Sequence, residues 1–309
     1  MIKNIDFYHQ DKRYIGIVKD GAGVGRVNIY PAFSSLVGTM QYIFPKEGYS
    51  LDFIKYFLIK LDLSHCVSGA TIPHIYFKDY GKELIPTPSL DTQLAIVSEL
   101  DKINELIRLK KEQLKDLDKL AQNIFYEMFG DPVENEKGWE VKKLGEVCDI
   151  FAGGDKPNDI KTTQDNEYIY PVIANGEGEK GILGYTKKCR VIKNAVTIGA
   201  RGASIGNCRI VKDGFTPAIR LLTLIPSEKL DCPFLFYIVK GLDYKQNGAG
   251  QAQLTVPNIK NESIPLPPLP LQHLFAQRIE QIEHQKSEVQ KAITDLETLL
   301  ASRMQYWFE

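Results

Sequence analysis

The residues of this chain with the clearest capacity for chemistry form a basic run from Lys180 to Lys212. The run contains no Asp or Glu and is interleaved with Gly, Asn, Tyr and Ser. Its positive residues are Lys180, Lys187, Lys188, Arg190, Lys193, Arg201, Arg209 and Lys212. Basic side chains beside phosphates supply most of the non-specific affinity of proteins for DNA. The run therefore favours a nucleic-acid surface over the alternative, a solvated basic face.

A polar cluster follows in a Gly-rich loop and comprises Asn247, Gln251, Gln253 and Asn258. Asn and Gln can form two hydrogen bonds with the edge of adenine, as Arg can with guanine. The cluster fits either base reading or an ordinary solvent-exposed loop, and the residues alone leave both open.

No set of residues forms a convincing catalytic constellation. The sequence has no His-Glu-x-x-His motif, no phosphate-binding P-loop and no Asn/Asp-Pro-Pro-aromatic tetrapeptide of the kind that amino-methylating DNA enzymes use. His65 and His74 lack partners at metal-ligand spacing. The five cysteines form no C-x-x-C pair, which fits a reducing compartment. We predict no catalytic residue, no cofactor and no metal.

The composition is that of an ordinary folded chain. It has 309 residues, 38 basic and 39 acidic, and 43% are hydrophobic, which excludes a disordered chain. The length suggests about two domains. No apolar run approaches the ~20 residues of a membrane span, and the start lacks a signal-peptide pattern. We expect a cytoplasmic protein without a membrane partner.

A long internal repeat organises the chain. Residues 85–93 read Ile-Pro-x-Pro-x-Leu-x-x-Gln, and the pattern returns 179 residues later at 264–272. Each copy leads into a charged stretch without Pro or Gly, the first running to Phe129 and the second to Phe308. Because proline fixes φ and disfavours helix in its predecessor, the Pro-x-Pro pairs are predicted to mark helix starts.

Both stretches are predicted to be coiled-coil helices, since apolar residues recur at alternating steps of four and three. The first stripe is Ile96, Leu100, Ile103, Ile107, Lys110, Leu114, Leu117, Ala121, Ile124 and Met128. The second is Phe275, Ile279, Ile282, Lys286, Val289, Ile293, Leu296, Leu300, Arg303 and Trp307. A rod of about 57 Å cannot bury its stripe on a small module, so each helix is expected to pack on its repeat. Lys110, Lys286 and Arg303 are expected to fix register or orientation.

The segments before the helices are predicted to be compact α+β modules with strand-rich cores. Gly21–Gly25 aligns with Gly202–Gly206 at an offset of 181 residues. Phe53 and Tyr56 align in the same way with Phe234 and Tyr237. Strands are predicted at 195–198, 209–211 and 220–225. The Gly-rich pentapeptides are therefore predicted to be tight turns between strands, because a nucleotide-binding loop needs a following helix.

Taken in order, these segments resemble the DNA-specificity subunit of type I restriction–modification systems. The resemblance rests on the duplicated Ile-Pro-x-Pro-x-Leu-x-x-Gln pattern with its long helices. It also rests on three further segments, Trp139–Val147, Ile198–Gly206 and Gly69–Ile75. Together these pieces cover nearly the whole chain, and their order and duplication are more specific than any one of them.

The resemblance implies an α+β architecture of two target-recognition domains alternating with two helices that pack as an antiparallel coiled coil. We expect the first domain at 1–84, its helix at 85–130, the second domain at 131–263 and its helix at 264–309. Each domain would read one half of a split duplex-DNA target. Methyltransferase subunits and a restriction subunit would be the protein partners and would hold the S-adenosylmethionine and ATP.

The expected DNA contacts rest on charge and loop placement. In the second module they are Arg201, Lys187, Lys188, Arg190, Arg209, Gln251 and Gln253, and in the first module they are His74 and Lys78. The first module is about 49 residues shorter than the second. We expect either a shortened or recombined allele or a missing portion supplied by another chain. Strand edges left exposed by the shortening favour self-association.

Two other classes of function stay open. The chain could be an interaction scaffold, with the coiled coil as its working part and modules that bind protein or RNA. It could also be an enzyme, a nuclease or a methylase with a degenerate site, although the residues give little reason to expect turnover. Selection from random duplex DNA discriminates between these classes.

Overall fold

The computed structural model describes residues 7–69, 71–176, 181–242 and 253–309. The chain divides into two compact units. The first unit is Met1–Leu114 with Glu288–Glu309, and the second is Lys115–Ser287. Each unit therefore contains one module and a part of both long helices. In the described ranges no helix is long and apolar enough to cross a membrane.

The first unit is built on a three-stranded antiparallel sheet. Its strands are β1 (Tyr14–Val18), β2 (Val27–Tyr30) and β3 (Met40–Ile43), in the order β2-β1-β3. Its helices are α1 (Leu51–Leu61), α2 (Phe77–Tyr80), the front part of α3 (Leu90–Phe129) and, from Glu288, the last part of the second long helix. Tyr14, Ile15 and Ile17 of β1 are fully buried and Val18 is half-buried. Helix α1 packs one face on the sheet and another on α3.

The second unit contains the other strands and helices, together with the rest of α3 and the front part of the second long helix. In chain order they are β4 (Glu140–Lys143), α4 (Leu144–Val147), β5 (Cys148–Ala152), β6 (Tyr170–Ile173), β7 (Ile182–Thr186), β8 (Ala195–Ile198), β9 (Cys208–Val211), β10 (Thr216–Pro217), β11 (Leu222–Pro226), α5 (Cys232–Gly241), α6 (Val256–Asn261), β12 (Ser263–Leu266) and α7 (Leu269–Phe308). The central sheet has the order β5-β11-β8-β9. Two smaller sheets have the orders β10-β6-β7 and β12-β4.

The two modules share one strand register. In both, the glycine pentapeptide joins two antiparallel strands, and a third strand lies on the other side of the first. All facing pairs of the first sheet except Val18–Met40 return in the second with both numbers raised by 181. Examples are Tyr14–Tyr30 with Ala195–Val211, Ile15–Ile43 with Val196–Leu224, and the bridge Gln10–Ser34 with Val191–Phe215. The predicted repeat is thus a repeat of hydrogen-bonded geometry.

The predicted turns are confirmed at both glycine pentapeptides. Gly21–Gly25 connects β1 to β2, and Gly202–Gly206 connects β8 to β9. The second pentapeptide also has the letters Gly-x-Ser-x-Gly of a hydrolase nucleophile turn, which requires a strand followed by a helix. Ser204 instead lies in a short 3-10 turn between two strands. It is therefore not at a nucleophile elbow.

The predicted strand at 220–225 begins two residues too early. The observed strand β11 starts at Leu222, because Ile219 and Arg220 both have positive φ, 51° and 59°. An L-residue in this left-handed region cannot continue an extended strand.

The long helices confirm the predicted coiled coil. Every residue of both predicted stripes is buried or half-buried. In the first unit, Glu99 pairs with Arg303 and Lys111 with Glu297. In the second, Asp118 pairs with Lys286. In the second unit Phe125 also contacts Phe275. In each unit the partner numbers therefore rise on α3 as they fall on α7, so the helices are antiparallel within each unit.

A buried glutamine ties the start of each long helix to its module. Gln93, 1% exposed, accepts a hydrogen bond from the N–H of Ser50 and donates to the carbonyls of Gly48 and Pro88. Gln272 is fully buried and makes the corresponding three bonds, with Asp231, Lys229 and Pro267. Ser50 and Asp231 are the N-cap residues of α1 and α5, so one side chain joins two helix starts.

Candidate nucleic-acid interface

The strongest sequence candidates meet where the β8–β9 turn contacts the segment before α6. Arg201 follows β8 and forms an antiparallel bridge with Gln253. The N–H of Leu254 donates to the carbonyl of Ala200 at 3.0 Å, which holds the two segments together. Arg201 and Gln253 are both exposed. Gln251 and Asn247 lie outside the described residues.

A tight loop between β10 and β11 lies against the end of β5. The N–H of Ile219 donates to the carbonyl of Gly154 at 2.7 Å, and that of Arg220 to Gly153 at 3.1 Å. A Cβ on Gly153 would stand 2.7 Å from the backbone of Pro217 and Ala218. Only glycine fits at this position, so the close approach is set by the Gly153-Gly154 pair.

Asn175 connects this loop to the β8–β9 turn. Its Nδ2 donates to the carbonyl of Ile219 at 2.8 Å, and its Oδ1 accepts from the N–H of Ala200 at 2.8 Å. One amide side chain therefore fixes Arg201 and the Ile219-Arg220 pair relative to each other.

The Ile219-Arg220 pair is strained and exposed. A β-branched residue with positive φ is a genuine outlier, and such conformations cost on the order of 1–3 kcal/mol each. Ile219 is 47% exposed and Arg220 is also exposed. Strained backbone that surrounding hydrogen bonds enforce is concentrated at functional sites in proteins.

Arg190 lies next to the same loop. Its guanidinium stands over the Phe151 ring, 4.9 Å from the centroid, and its Nη1 is 3.6 Å from the Cβ position of Gly154. The name recognition edge is used here for the cluster formed by Arg190, Asn175, Arg201, Ile219, Arg220 and Gln253. Lys188 is exposed after β7, and its carbonyl accepts a hydrogen bond from the hydroxyl of Thr216 at 3.1 Å.

Two of the predicted contacts have protein partners. The ammonium of Lys187 is 2.6 Å from a carboxylate oxygen of Glu167, and this hydrogen bond raises the pKa of Lys187 above its ordinary value. The basic run has no acid of its own, but a neighbouring loop supplies one. Arg209 is half-buried on β9 and donates to the carbonyl of Gly176 at 3.4 Å. Burial lowers the pKa of Arg209.

The two first-module candidates lie close to each other around Tyr76. His74 bridges Asp20, and its ring contacts Tyr76 with centroids 4.9 Å apart. The ammonium of Lys78 stands 5.1 Å from the centre of the same ring. The Asp20–His74 bridge has the place in the first module that the Arg201–Gln253 bridge has in the second. Where the second module has a cation, the first therefore has an anion.

The sequence prediction missed Asn175, Ile219 and Arg220. The Asn175-Gly176 and Gly153-Gly154 dipeptides are turn signals. They indicate loops, but they do not indicate that the two loops meet. Arg220 lies outside the basic run, and it was missed because it was predicted to be the first residue of a strand.

The fold defines a class of proteins with a duplicated architecture. Two modules share one strand register, and a buried glutamine joins each module to the start of one long helix. Residues 1–119 and 136–298 match the family model described as the type I restriction modification DNA specificity domain. The chain belongs to this family. Curated relatives that it matches are named type I specificity subunits.

Known proteins support this assignment. A putative type I specificity subunit of Mycoplasma pneumoniae is 30% identical over 72% of this chain, which spans 61% of that relative. The MjaIX specificity subunit of Methanocaldococcus jannaschii is 26% identical, over 83% of this chain and 68% of the relative. The crystal structure of a type I restriction–modification S subunit from M. genitalium has the same fold. Its TM-score is 0.59 with 18% identity, over 98% of this chain and 85% of that one.

Proposed function

We propose that this chain reads duplex DNA for a type I restriction–modification complex. The observation that carries the proposal is the recognition edge, where a single asparagine side chain links two loops that carry exposed arginines. Arg201 and Gln253 are adjacent, and their side chains are of the types that read guanine and adenine in the major groove. Arg190 and Lys188 would contact phosphates beside them.

The long helices supply the second part of the proposal. Each is continuous over 40 residues, about 60 Å at ~1.5 Å per residue. Helices of this length would set the separation between two half-sites, so target spacing is a geometric quantity. The helices and module flanks would dock methyltransferase subunits, and a restriction subunit would join the complex. Both catalytic steps would belong to those partners.

The test of the interface is Arg201→Ala, measured as affinity for the selected duplex. Loss of a base-reading arginine costs about 1–3 kcal/mol, so we expect affinity to fall by roughly tenfold and base preference to relax at one position. Arg278→Ala on α7 is the matched control, because Arg278 is an exposed arginine on a helix with more acidic than basic residues. Unchanged affinity and unchanged preference in Arg201→Ala would contradict the assignment.

The target itself comes from selection in a random duplex library, with the chain alone and with its methyltransferase partner. A split motif means that both modules read DNA. A single short half-site means that only the second module does. The absence of enrichment in both conditions supports the scaffold alternative, in which the modules bind protein or RNA.

One observation favours the scaffold alternative for the first module in particular. Asp20 stands at the position of Arg201, and Asn28 stands at the position of Arg209. Neither substitution favours phosphate binding. If the selection yields a single short half-site, the first module would therefore be assigned to a protein partner.

A further inference from the structure

The first module has an open position where the second module holds a strand. In the second unit, β11 pairs with β8 on one side and with β5 on the other. The equivalent strand β3 pairs with β1 on one side. In the described part of the first unit, no strand pairs with the other side of β3.

The open side is defined by hydrogen-bond alternation. Lys19 N–H donates to Thr39 C=O at 2.9 Å, so Gln41 and Ile43 face β1, and the backbones of Met40, Tyr42 and Phe44 point away from it. These three backbone positions are named here the open edge, and of their N–H groups that of Met40 already donates to the carbonyl of Val37 at 3.0 Å.

The second unit confirms this assignment of sides. Gly153 N–H donates to the carbonyl of Leu221 at 2.8 Å, at the junction of β5 and β11. Leu221 is the residue equivalent to Met40, so the open edge corresponds to the side of β11 that β5 occupies.

A second strand is missing at the entry to the long helix. In the second unit β12 pairs with β4, and its Ile264 is fully buried. The equivalent residues 84–87 of the first unit lie in no strand, and Ile85 is only half-buried. Leu84 is 91% exposed at the position of the polar Ser263.

The turn between β4 and β5 also has no counterpart in the described part of the first unit. In the second unit α4 buries Leu144 and Val147 and packs beside α6, and Leu144 N–H donates to the carbonyl of Glu262. In the first unit α2 takes the place of α6, and its Phe77 is 56% exposed. Phe44, at the end of the open edge, is 44% exposed. Apolar side chains are therefore exposed at three points along the path that β4, α4 and β5 follow in the second unit.

We propose that the first module binds a strand–turn–strand segment of a second polypeptide along the open edge and residues 84–87. The segment has the character of Glu140–Ala152, with two short strands joined by one helical turn that presents a leucine and a valine. In the described residues, the segment Glu140–Ala152 itself is held by β11 and β12 of the second unit. Strand addition to an exposed edge gains affinity from main-chain hydrogen bonds and specificity from side-chain pockets. The proposal concerns a protein partner and does not depend on DNA binding.

The test is hydrogen exchange of the full chain with a synthetic peptide of residues 138–153. Tyr42 and Phe44 amides report the open edge, and Gln41 and Ile43 amides, which face β1, are internal controls. We expect the peptide to slow exchange at Tyr42 and Phe44 by at least about tenfold, the protection of a formed strand pair. A peptide with Leu144→Asp and Ile150→Asp should give no protection, since both replaced residues are buried in the second unit.

A protein variant tests the other end of the site. Leu84→Asp should abolish peptide protection while leaving the unfolding midpoint unchanged, because Leu84 contributes little buried surface. Val133→Asp, at a 75% exposed position in the second unit, is the matched control and should leave protection intact. Fusion of residues 138–153 through a flexible linker after Glu309 raises the effective concentration, since Phe308 packs on Phe53 and Phe57 of the first module.

Two results would overturn the proposal. The first is exchange at Tyr42 and Phe44 that stays fast with both the free and the fused segment. The second is concentration-dependent protection of these amides in the chain alone, which would mean that a second copy covers the edge. Neither result bears on Arg201→Ala, so the two proposals fail separately.

Discussion

The two modules have the same strand register and differ in what they place on it. At the bridge beside the glycine turn, the second module has Arg201 opposite Gln253 and the first has Asp20 opposite His74. The backbone geometry survives because glycine turns, β-branched strands and a buried glutamine specify it. Charge at the exposed positions is free to vary, since those side chains contribute little to the fold. The two copies of the repeat therefore share their backbone geometry and not the charges of their exposed surfaces.

The modules also differ in their strain. Gly214 has φ +85°, and its equivalent in the first module is Phe33 with φ 58°. The first module therefore has a bulky residue in a conformation that favours glycine. Phe33 is 67% exposed and contacts Tyr8 edge to face.

The largest effect is expected at the buried glutamines. Gln93→Ala and Gln272→Ala each remove three hydrogen bonds, so each should lower the free energy of unfolding of its unit by about 3 kcal/mol. Urea unfolding of single-tryptophan variants separates the units, because Trp307 lies in the first and Trp139 in the second. Gln281→Ala, at an exposed position of α7, is the control. A large loss in one unit and none in the other would show that the two junctions are not equivalent.

An acid-dependent difference between the units comes next. Arg303 donates hydrogen bonds to Glu99, as does the indole N–H of Trp307, and these bonds lower the pKa of Glu99 from its ordinary 4.5. A carboxylate with a lowered folded-state pKa contributes stability above its ordinary pKa and loses it as pH falls through the lowered value. The equivalent positions in the second unit are Ile124 and Arg278, which cannot form this pair.

We therefore expect Arg303→Leu to reduce the stability of the first unit at pH 7 and to flatten its loss of stability below about pH 4.5. Unfolding followed through Trp307 at pH 3 to 7 measures this. The profile followed through Trp139 should be the same with and without the substitution. A parallel downward shift of the first-unit curve at every pH would exclude the Glu99 linkage.

The smallest expected effect concerns the backbone strain at Phe33 and at the equivalent position, Gly214. Phe33→Asn should stabilise the first unit by about 0.5–1 kcal/mol, because asparagine tolerates the left-handed region. Gly214→Ala should destabilise the second by about 1–2 kcal/mol, because its Cβ would meet the Tyr170 ring at 3.1 Å. Phe7→Asn is the control, since Phe7 is similarly exposed and does not have positive φ. Equal effects of the two asparagine variants would remove strain as the cause.

The long helices, their ends at Phe129 and Phe308, and the turns at the glycine pentapeptides could be predicted from the sequence. The physical reason is that these features depend on local rules: heptad spacing, proline at helix starts and glycine at positive φ. Because the chain contains an internal repeat, each of these elements could be predicted twice, once in each copy. Family membership followed from the order and duplication of the same segments.

The recognition edge was decided by tertiary structure. Asn175, Gly153 and Arg220 are far apart in sequence. They meet because β5, β6 and β8 end, and β11 begins, at neighbouring points of the second module. The Glu167 partner of Lys187 is equally remote from the basic run. The sequence by itself determined the elements and their duplication, because local spacing and composition specify them. Which charges face solvent, which are paired and which strand edge stays open depend on long-range pairing, which only the folded chain decides.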